Sequence, residues 1–351
     1  MKRKVAAIDG SGRGLCIEEE VPSLGRGEVL VEVRASLISP GTELGGAKKM
    51  RVEPDPSRKP RPFGYANAGV VAEVGTGVEQ FRSGQRVACM GGGYALHADW
   101  AVVPQNLCVA MPEEVDFEAA AAVHLAATGL HAVRRTAPLY GENGMIVGLG
   151  IVGQFAAQFA QLSGCHIMGV DNFSRRREMA LAIGIEATVD TESEDPVERA
   201  EIFTAGYGMD FGIVAFGGEA SEAFTGIYRS LKQAPDTHRM GRIVLVGGAR
   251  VTHGFGAALG NVDVRSAART GPGYHDEEYE RGRDYPKVFV EWPTQRNLAE
   301  CLRAMAAGKL QVAPLYTHQF PLDQAADAVD VLVDNAAEAL GVLFKPKVDA
   351  D

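Results

Sequence analysis

The 351-residue chain predicts an α/β protein built from a β-rich part and a doubly wound parallel sheet. Three observations carry this. Up to about residue 110 the apolar residues come in short alternating runs separated by glycine turns. From Asp116 to about Thr270, short continuous apolar runs alternate with helical stretches, the pattern of a parallel sheet covered on both faces. After a polar interruption the chain returns with two helical stretches and a closing apolar run.

In chain order, "EVLVEVRAS" places Val29, Val31 and Val33 on one strand face, with Leu30, Glu32 and Arg34 on the other. "AGVVAEVGTGVEQFRSGQRVA" reads as two strands joined by glycine turns, where positive φ is needed. "HADWAVVP" is a further strand closed by Pro104. "DFEAAAAVHLAATGLHAV" is helical, capped by Asp116. "GMIVGLG", "HIMGVD", "FGIVAFG" and "GRIVLVGG" are buried-strand runs, and "VGQFAAQFAQLSG" is a helix between two of them. Residues 271–297 are charged, aromatic and broken by glycine and proline, which predicts a long functional or mobile loop. "NLAECLRAMAAGKL" is a helix stopped by Gly308. "LDQAADAVDVLVDN" gathers Ala325, Ala326, Val329, Leu332 and Val333 on one face, and "ALGVLFKP" is the last strand.

Charge and composition exclude several classes. A net charge of −10 opposes binding to nucleic acid or to an anionic membrane. The five cysteines form no C-x-x-C pair, so neither a zinc ribbon nor a redox dithiol is expected. Scattered thiols and the lack of a long apolar run suggest a cytoplasmic protein.

"MIVGLGIVGQFAAQFA" holds Gly148, Gly150 and Gly153 in G-x-G-x-x-G spacing, after a strand and at the start of a helix. In that context Gly148 makes the tight turn, Gly150 lets the backbone approach a pyrophosphate, and Gly153 lets helix and strand pack closely. The helix N-terminus is suited to the phosphates. Asp171 ends the second strand, 18 residues after Gly153. A carboxylate there can accept hydrogen bonds from a ribose and repels a 2′-phosphate, so NAD is expected over NADP. Arg175, Arg176 and Arg177 complicate that preference: they either stack on adenine, neutralise a 2′-phosphate, or form a solvated helix start.

With these parts in order, the chain resembles the medium-chain dehydrogenase/reductase superfamily, through "GYANAGVVAEVG", "HADWAVVP", "ATGLHAV", "VGLGIVGQ" and "FPLDQAADAV". The resemblance implies a GroES-like catalytic domain (1–124 and 272–351) and a Rossmann NAD-binding domain (125–271), with the active site in the cleft between them and a homodimer or homotetramer as the assembly. It implies cofactor contacts from Thr128, Ile151, Val152, Asn172, Arg176, Phe216, Val246 and Gly247, beside the glycines and Asp171. It also exposes a departure. Pro40 stands where zinc-dependent members carry a cysteine, "GYA" replaces their Gly-His-Glu, and the four-cysteine lobe is missing. His124 alone remains of a ligand set, and one imidazole cannot hold zinc. A zinc-independent member is therefore expected, with no metal.

Without zinc, a side chain has to manage the proton while the nicotinamide handles the hydride. By the resemblance Tyr65, His124 and Thr42 converge at the former metal position. His124 is the natural general base by its ordinary pKa, Tyr65 a hydrogen-bond donor to the substrate oxygen, and Thr42 a hydroxyl relay. Glu43 is read as structural. His275, Asp276, Tyr279, Asp284 and Tyr285 are candidates for binding a hydroxyl-rich small molecule, since "ARTGPGYHDEEYERGRDYP" and "VEWPTQRN" look like segments of oxidoreductases from sugar and polysaccharide pathways. The leading expectation is an NAD-dependent dehydrogenase acting on a secondary alcohol of a sugar, glycoside or cyclitol. The alternatives are an NADPH-dependent quinone or enone reductase and a non-catalytic cofactor-binding subunit.

Overall fold

The computed structural model describes residues 1–254 and 256–346. The chain divides into two compact units, Met1–Ala127 with the segment from Thr270 onward, and Thr128–Arg269. The expected boundaries, 124/125 and 271/272, fall within a few residues of these.

The first unit is β-rich. The strand Glu28–Leu37 lies at the centre of a seven-stranded sheet, antiparallel to Ala66–Val74 on one side and to the closing strand Gly341–Lys345 and Trp100–Pro104 on the other. Its alternation explains the placement: Val29, Val31 and Val33 are buried, and Leu30, Glu32 and Arg34 are half-buried. The alternation stops at its end, where Ala35, Ser36 and Leu37 are all buried. A smaller three-stranded sheet holds Lys2–Ile8 between Gly14–Glu20 and Arg61–Pro62. The helix Ala325–Asp334 closes a core with Ile38, Leu44 and Phe344 through Ala325, Ala328, Val329 and Leu332. Ala326, expected on that face, points to solvent, and Ala328 takes its place.

The second unit is a six-stranded sheet, entirely parallel. If its strands are numbered along the chain from Asn143–Val147, their order is 3-2-1-4-5-6. This is the doubly wound dinucleotide-binding topology, in which ligands bind beyond the carboxyl ends of strands one and four. Met145, Met168, Phe224, Ile227 and Ile243 form its core. Among the described residues no helix is long and apolar enough to cross a membrane.

Candidate active site

In the second unit the glycine loop follows strand Asn143–Val147 directly. Gly148 adopts φ +93°, a left-handed conformation that favours glycine. Gly153, one helical turn into Ile151–Leu162, lies so close to the loop that an added Cβ would sit 1.8 Å from the Gly148 carbonyl oxygen. Gly150 differs: a Cβ there would meet nothing within 4 Å. It is the N-cap of the 12-residue helix Ile151–Leu162, with no side-chain cap. The first-turn N–H groups of Ile151, Val152 and Gly153 have no acceptor within the helix and suit an anion. These residues therefore fit a dinucleotide pyrophosphate.

Asp171 ends the second strand, and its carboxylate is fixed. One oxygen accepts the Leu149 N–H at 2.7 Å and the other the Phe173 N–H at 2.9 Å. Arg176 stacks on the Phe173 ring at 4.5 Å and brings its guanidinium 3.5 Å from Asp171. Arg177 donates to the Asp171 carbonyl and pairs with Asp190 at 2.8 Å. Arg176 and Arg177 are thus folded back on their own unit, which departs from the solvated helix start. Asn172 is exposed beside them, and Phe216 packs over Gly148. Val246 ends the fifth strand, Met240–Val246, and Gly247 follows it at φ +62°.

In the first unit a polar cluster surrounds Tyr65. Its phenol lies close to the side chains of Ser39, Thr42 and Glu43. Its ring lies 4.4 Å from that of His124, tilted by 52°. His124 Nδ1 is 2.9 Å from the Tyr65 carbonyl oxygen, which can only accept. Nδ1 therefore carries the hydrogen, and Nε2 carries the lone pair. Burial drives the His124 pKa down to about 4. This corrects the expectation of a base poised near neutrality: the resting imidazole is neutral and weakly basic. Burial and the charge of Glu43 push the Tyr65 pKa well up, so it is a protonated donor.

Behind Tyr65 stands a group that sequence reasoning set aside. Ser39 caps the short helix Pro40–Glu43, and Glu43 reaches back to accept the Ser39 N–H at 2.6 Å. The same carboxylate oxygen lies 3.3 Å from Nε2 of fully buried His97, whose Nδ1 is 2.9 Å from Ser36 Oγ. Tyr274 was also missed. Its ring meets His124 edge-on at 6.1 Å and stacks on His275 at 3.9 Å, and its phenol oxygen accepts the Gly92 N–H.

Of the five residues expected to bind substrate, the structure brings only His275 towards this cluster. Asp276 caps helix Glu277–Glu280 and accepts from the Tyr285 phenol at 2.6 Å. Tyr279 is 1% exposed, stacked on Tyr285 at 4.8 Å, and its oxygen accepts the Gln295 N–H. Asp276, Tyr279 and Tyr285 thus hold the segment together. Nor is the segment a loose loop: Gln105 and Asn106 donate to the carbonyls of Arg281 and Tyr279, and Gln295 donates to that of Cys108. Asp284 lines a separate cavity of about 600 Å³ with Lys287 and Arg296.

Two family models match the chain in succession: "alcohol dehydrogenase GroES-like domain" over residues 25–113 and "zinc-binding dehydrogenase" over 152–272. The chain belongs to the medium-chain dehydrogenase/reductase superfamily. Sorbitol dehydrogenase of Mus musculus is 26% identical, covering 94% of this chain and 91% of its own length. L-idonate 5-dehydrogenase of Vitis vinifera is 26% identical, covering 87% of this chain and 84% of its own. An Escherichia coli oxidoreductase/dehydrogenase of unknown specificity shares the fold, with TM-score 0.79 and 19% identity, covering 99% of this chain and 100% of that one.

This medium-chain dehydrogenase/reductase is an NAD(P)-dependent oxidoreductase. The name of the second model raises the question of zinc, and the donor set answers it poorly. Pro40 is the first residue of a helix, and Tyr65 and His124 present a phenol and one imidazole. Among the described residues, no group of three His, Cys, Asp or Glu side chains is gathered as a metal ion requires. These residues do not fit a resident zinc ion.

Proposed function

We propose that this enzyme is a zinc-independent, NAD-preferring dehydrogenase that interconverts a secondary alcohol and a ketone on a polyhydroxylated substrate such as a sugar, glycoside or cyclitol. The observation that carries the reading is the Tyr65 cluster: a protonated phenol beside the Ser39 and Thr42 side chains and set against a neutral imidazole, where superfamily resemblance puts metal ligands. The bound nicotinamide would supply or accept the hydride, so the chain has only the proton to manage. Tyr65 donates a hydrogen bond to the substrate oxygen, polarising a carbonyl or holding a hydroxyl. His124 offers its Nε2 lone pair as an acceptor and, through Nδ1, fixes the Tyr65 backbone. Thr42 offers a hydroxyl close to the phenol. The fixed Asp171 carboxylate supports the preference for NAD. A hydroxyl-rich substrate is supported by relatives named for sorbitol and idonate.

The test is reduction of NAD⁺ with a panel of polyols, sugars and cyclitols, with metal analysis of the same preparation. Turnover without stoichiometric zinc is expected, and Tyr65→Phe should lower kcat by about 100-fold while leaving NADH affinity unchanged. One zinc per chain, or full activity in Tyr65→Phe, would overturn the reading.

A further inference from the structure

Four aromatic rings of the first unit form a ladder that starts at Tyr65. The Tyr65 ring lies 4.4 Å from that of His124, the Tyr274 ring 6.1 Å from His124, and the His275 ring 3.9 Å from Tyr274, near parallel at 24°. The ladder ends in solvent: Tyr274 is half-buried and His275 exposed. One glycine turn holds both ends. Gly91 N–H donates to the Tyr65 carbonyl at 3.0 Å, and Gly92 N–H to the Tyr274 phenol oxygen at 2.6 Å. His275 adopts φ +73°, a left-handed conformation uncommon for a residue with a side chain. Its N–H donates at 2.7 Å to the buried carboxylate of Glu280, which fixes a backbone the chain would not otherwise choose. Such strained residues cluster at ligand-contacting positions. Among the described residues nothing hydrogen-bonds either nitrogen of the His275 ring. The residue thus offers an aromatic surface and an edge with one donor or acceptor at each nitrogen.

We propose that His275, backed by Tyr274, is a specificity-determining residue that stacks on the carbon face of a ring-shaped substrate, so that the enzyme selects pyranosides and cyclitols over open-chain polyols. The inference rests on the alcohol–ketone reading above and adds substrate shape to it. A substrate whose reacting oxygen is held at Tyr65 and His124 extends along the ladder to His275, which touches it away from the reacting carbon. The C–H bonds of a sugar or cyclitol are polarised positive by their oxygens, and an aromatic face is negative. A ring with equatorial hydroxyls can therefore lay its axial hydrogens on the imidazole. The imidazole edge can exchange hydrogen bonds with hydroxyls at the rim. An open-chain polyol has no such preformed face and must freeze several C–C torsions to imitate one, which costs affinity.

Two readouts test this. With NAD⁺, kcat/KM for methyl β-glucopyranoside or myo-inositol should exceed that for sorbitol by about tenfold or more. His275→Asn keeps a residue that tolerates left-handed φ and removes the ring. It should raise KM for the cyclic substrates about tenfold with kcat little changed, and KM for sorbitol much less. His275→Phe restores an aromatic face and should recover part of the cyclic preference, which guards against a folding defect. The second readout needs no turnover. In saturation-transfer NMR of the NADH complex, the ring protons of methyl β-glucopyranoside should be saturated in wild type and far less in His275→Asn. If wild type oxidises no member of the panel, the functional reading fails and the NMR experiment alone judges the subsite. Sorbitol oxidised as well as the cyclic probes, an unchanged cyclic KM in His275→Asn, or no saturation of the pyranoside in wild type overturns the proposal.

Discussion

The glycine loop of the Thr128–Arg269 unit and the Tyr65 cluster of the other unit solve opposite problems with opposite materials. The loop is made of backbone. Its three glycines fall within six residues, and each has one local reason: φ +93° at Gly148, open space at Gly150, a carbonyl at 1.8 Å from an added Cβ at Gly153. The cluster is made of side chains from stretches far apart in sequence: Ser36, Ser39 to Glu43, Tyr65, His97, His124 and Tyr274. The first is set mainly by backbone within six residues. The second exists only once the sheet around Glu28–Leu37 has closed.

The sharpest way to break this contrast lies within the loop. In Gly153→Ala the new methyl meets a backbone oxygen that cannot move without unmaking the turn. A cost of about 3 kcal/mol or more in stability is expected, with loss of NADH binding. Gly150→Ala is the partner experiment. Its φ of −64° suits alanine and its Cβ direction is open, so the melting temperature should stay put while NADH affinity falls. Thermal melts and NADH fluorescence titrations of both variants decide it. Equal stability in both would mean that the glycine spacing is not a structural requirement here.

That locality explains what the sequence disclosed. The spacing of Gly148, Gly150 and Gly153 and the position of Asp171 are properties of one strand–loop–helix unit, legible in a linear string. The alternation of Val29, Val31 and Val33 was legible for the same reason. Glu43 and His97 were not, because nothing short-range links them. The one trace was Ser36, a hydroxyl among the buried residues that end its strand. The segment after Gly271 misled in the other direction. Its tyrosines and carboxylates look like ligand groups by composition, yet Asp276, Tyr279 and Tyr285 spend their polar atoms on one another and on the chain. Tyr274, in the same segment, stands at the cluster because the turn at Gly273 and His275, both at positive φ, sets its ring there.

The two regions can also be compared by pH, since each contains a histidine held neutral. Burial lowers the His124 pKa to about 4, and burial with the charges of Arg135 and Arg134 lowers that of His131 to about 4. A folded-state pKa below the unfolded one means that the unfolded chain binds the proton more readily. Stability is then complete above about pH 6.5, declines as pH falls, and levels off below about pH 4. Between pH 7 and 5 buried His124 should remove about 2 kcal/mol, and partly exposed His131 appreciably less, because solvent screens its neighbouring charges. Chemical denaturation at several pH values checks this. His124→Gln and His131→Gln should each flatten the slope, and a slope unchanged in both would place the acid sensitivity elsewhere.

The smallest effect expected concerns the preference between the two dinucleotides. Asp171 would repel a 2′-phosphate, but Arg176 lies 3.5 Å from the same carboxylate and offsets part of its charge. With Arg176 present, the site discriminates less than the carboxylate alone would. Arg176→Ala leaves both backbone bonds to Asp171 in place, from Leu149 and Phe173, so the loop should keep its shape. What changes is the field: the carboxylate acts unbalanced, and NADPH should lose about threefold more affinity than NADH, a difference below 1 kcal/mol as expected for a partly exposed charge pair. Paired titrations with NADH and NADPH at low and high salt measure it. Because the interaction is electrostatic, the difference should shrink as salt rises. A loss shared equally by the two cofactors would instead assign Arg176 to the adenine face, through its stacking position on Phe173.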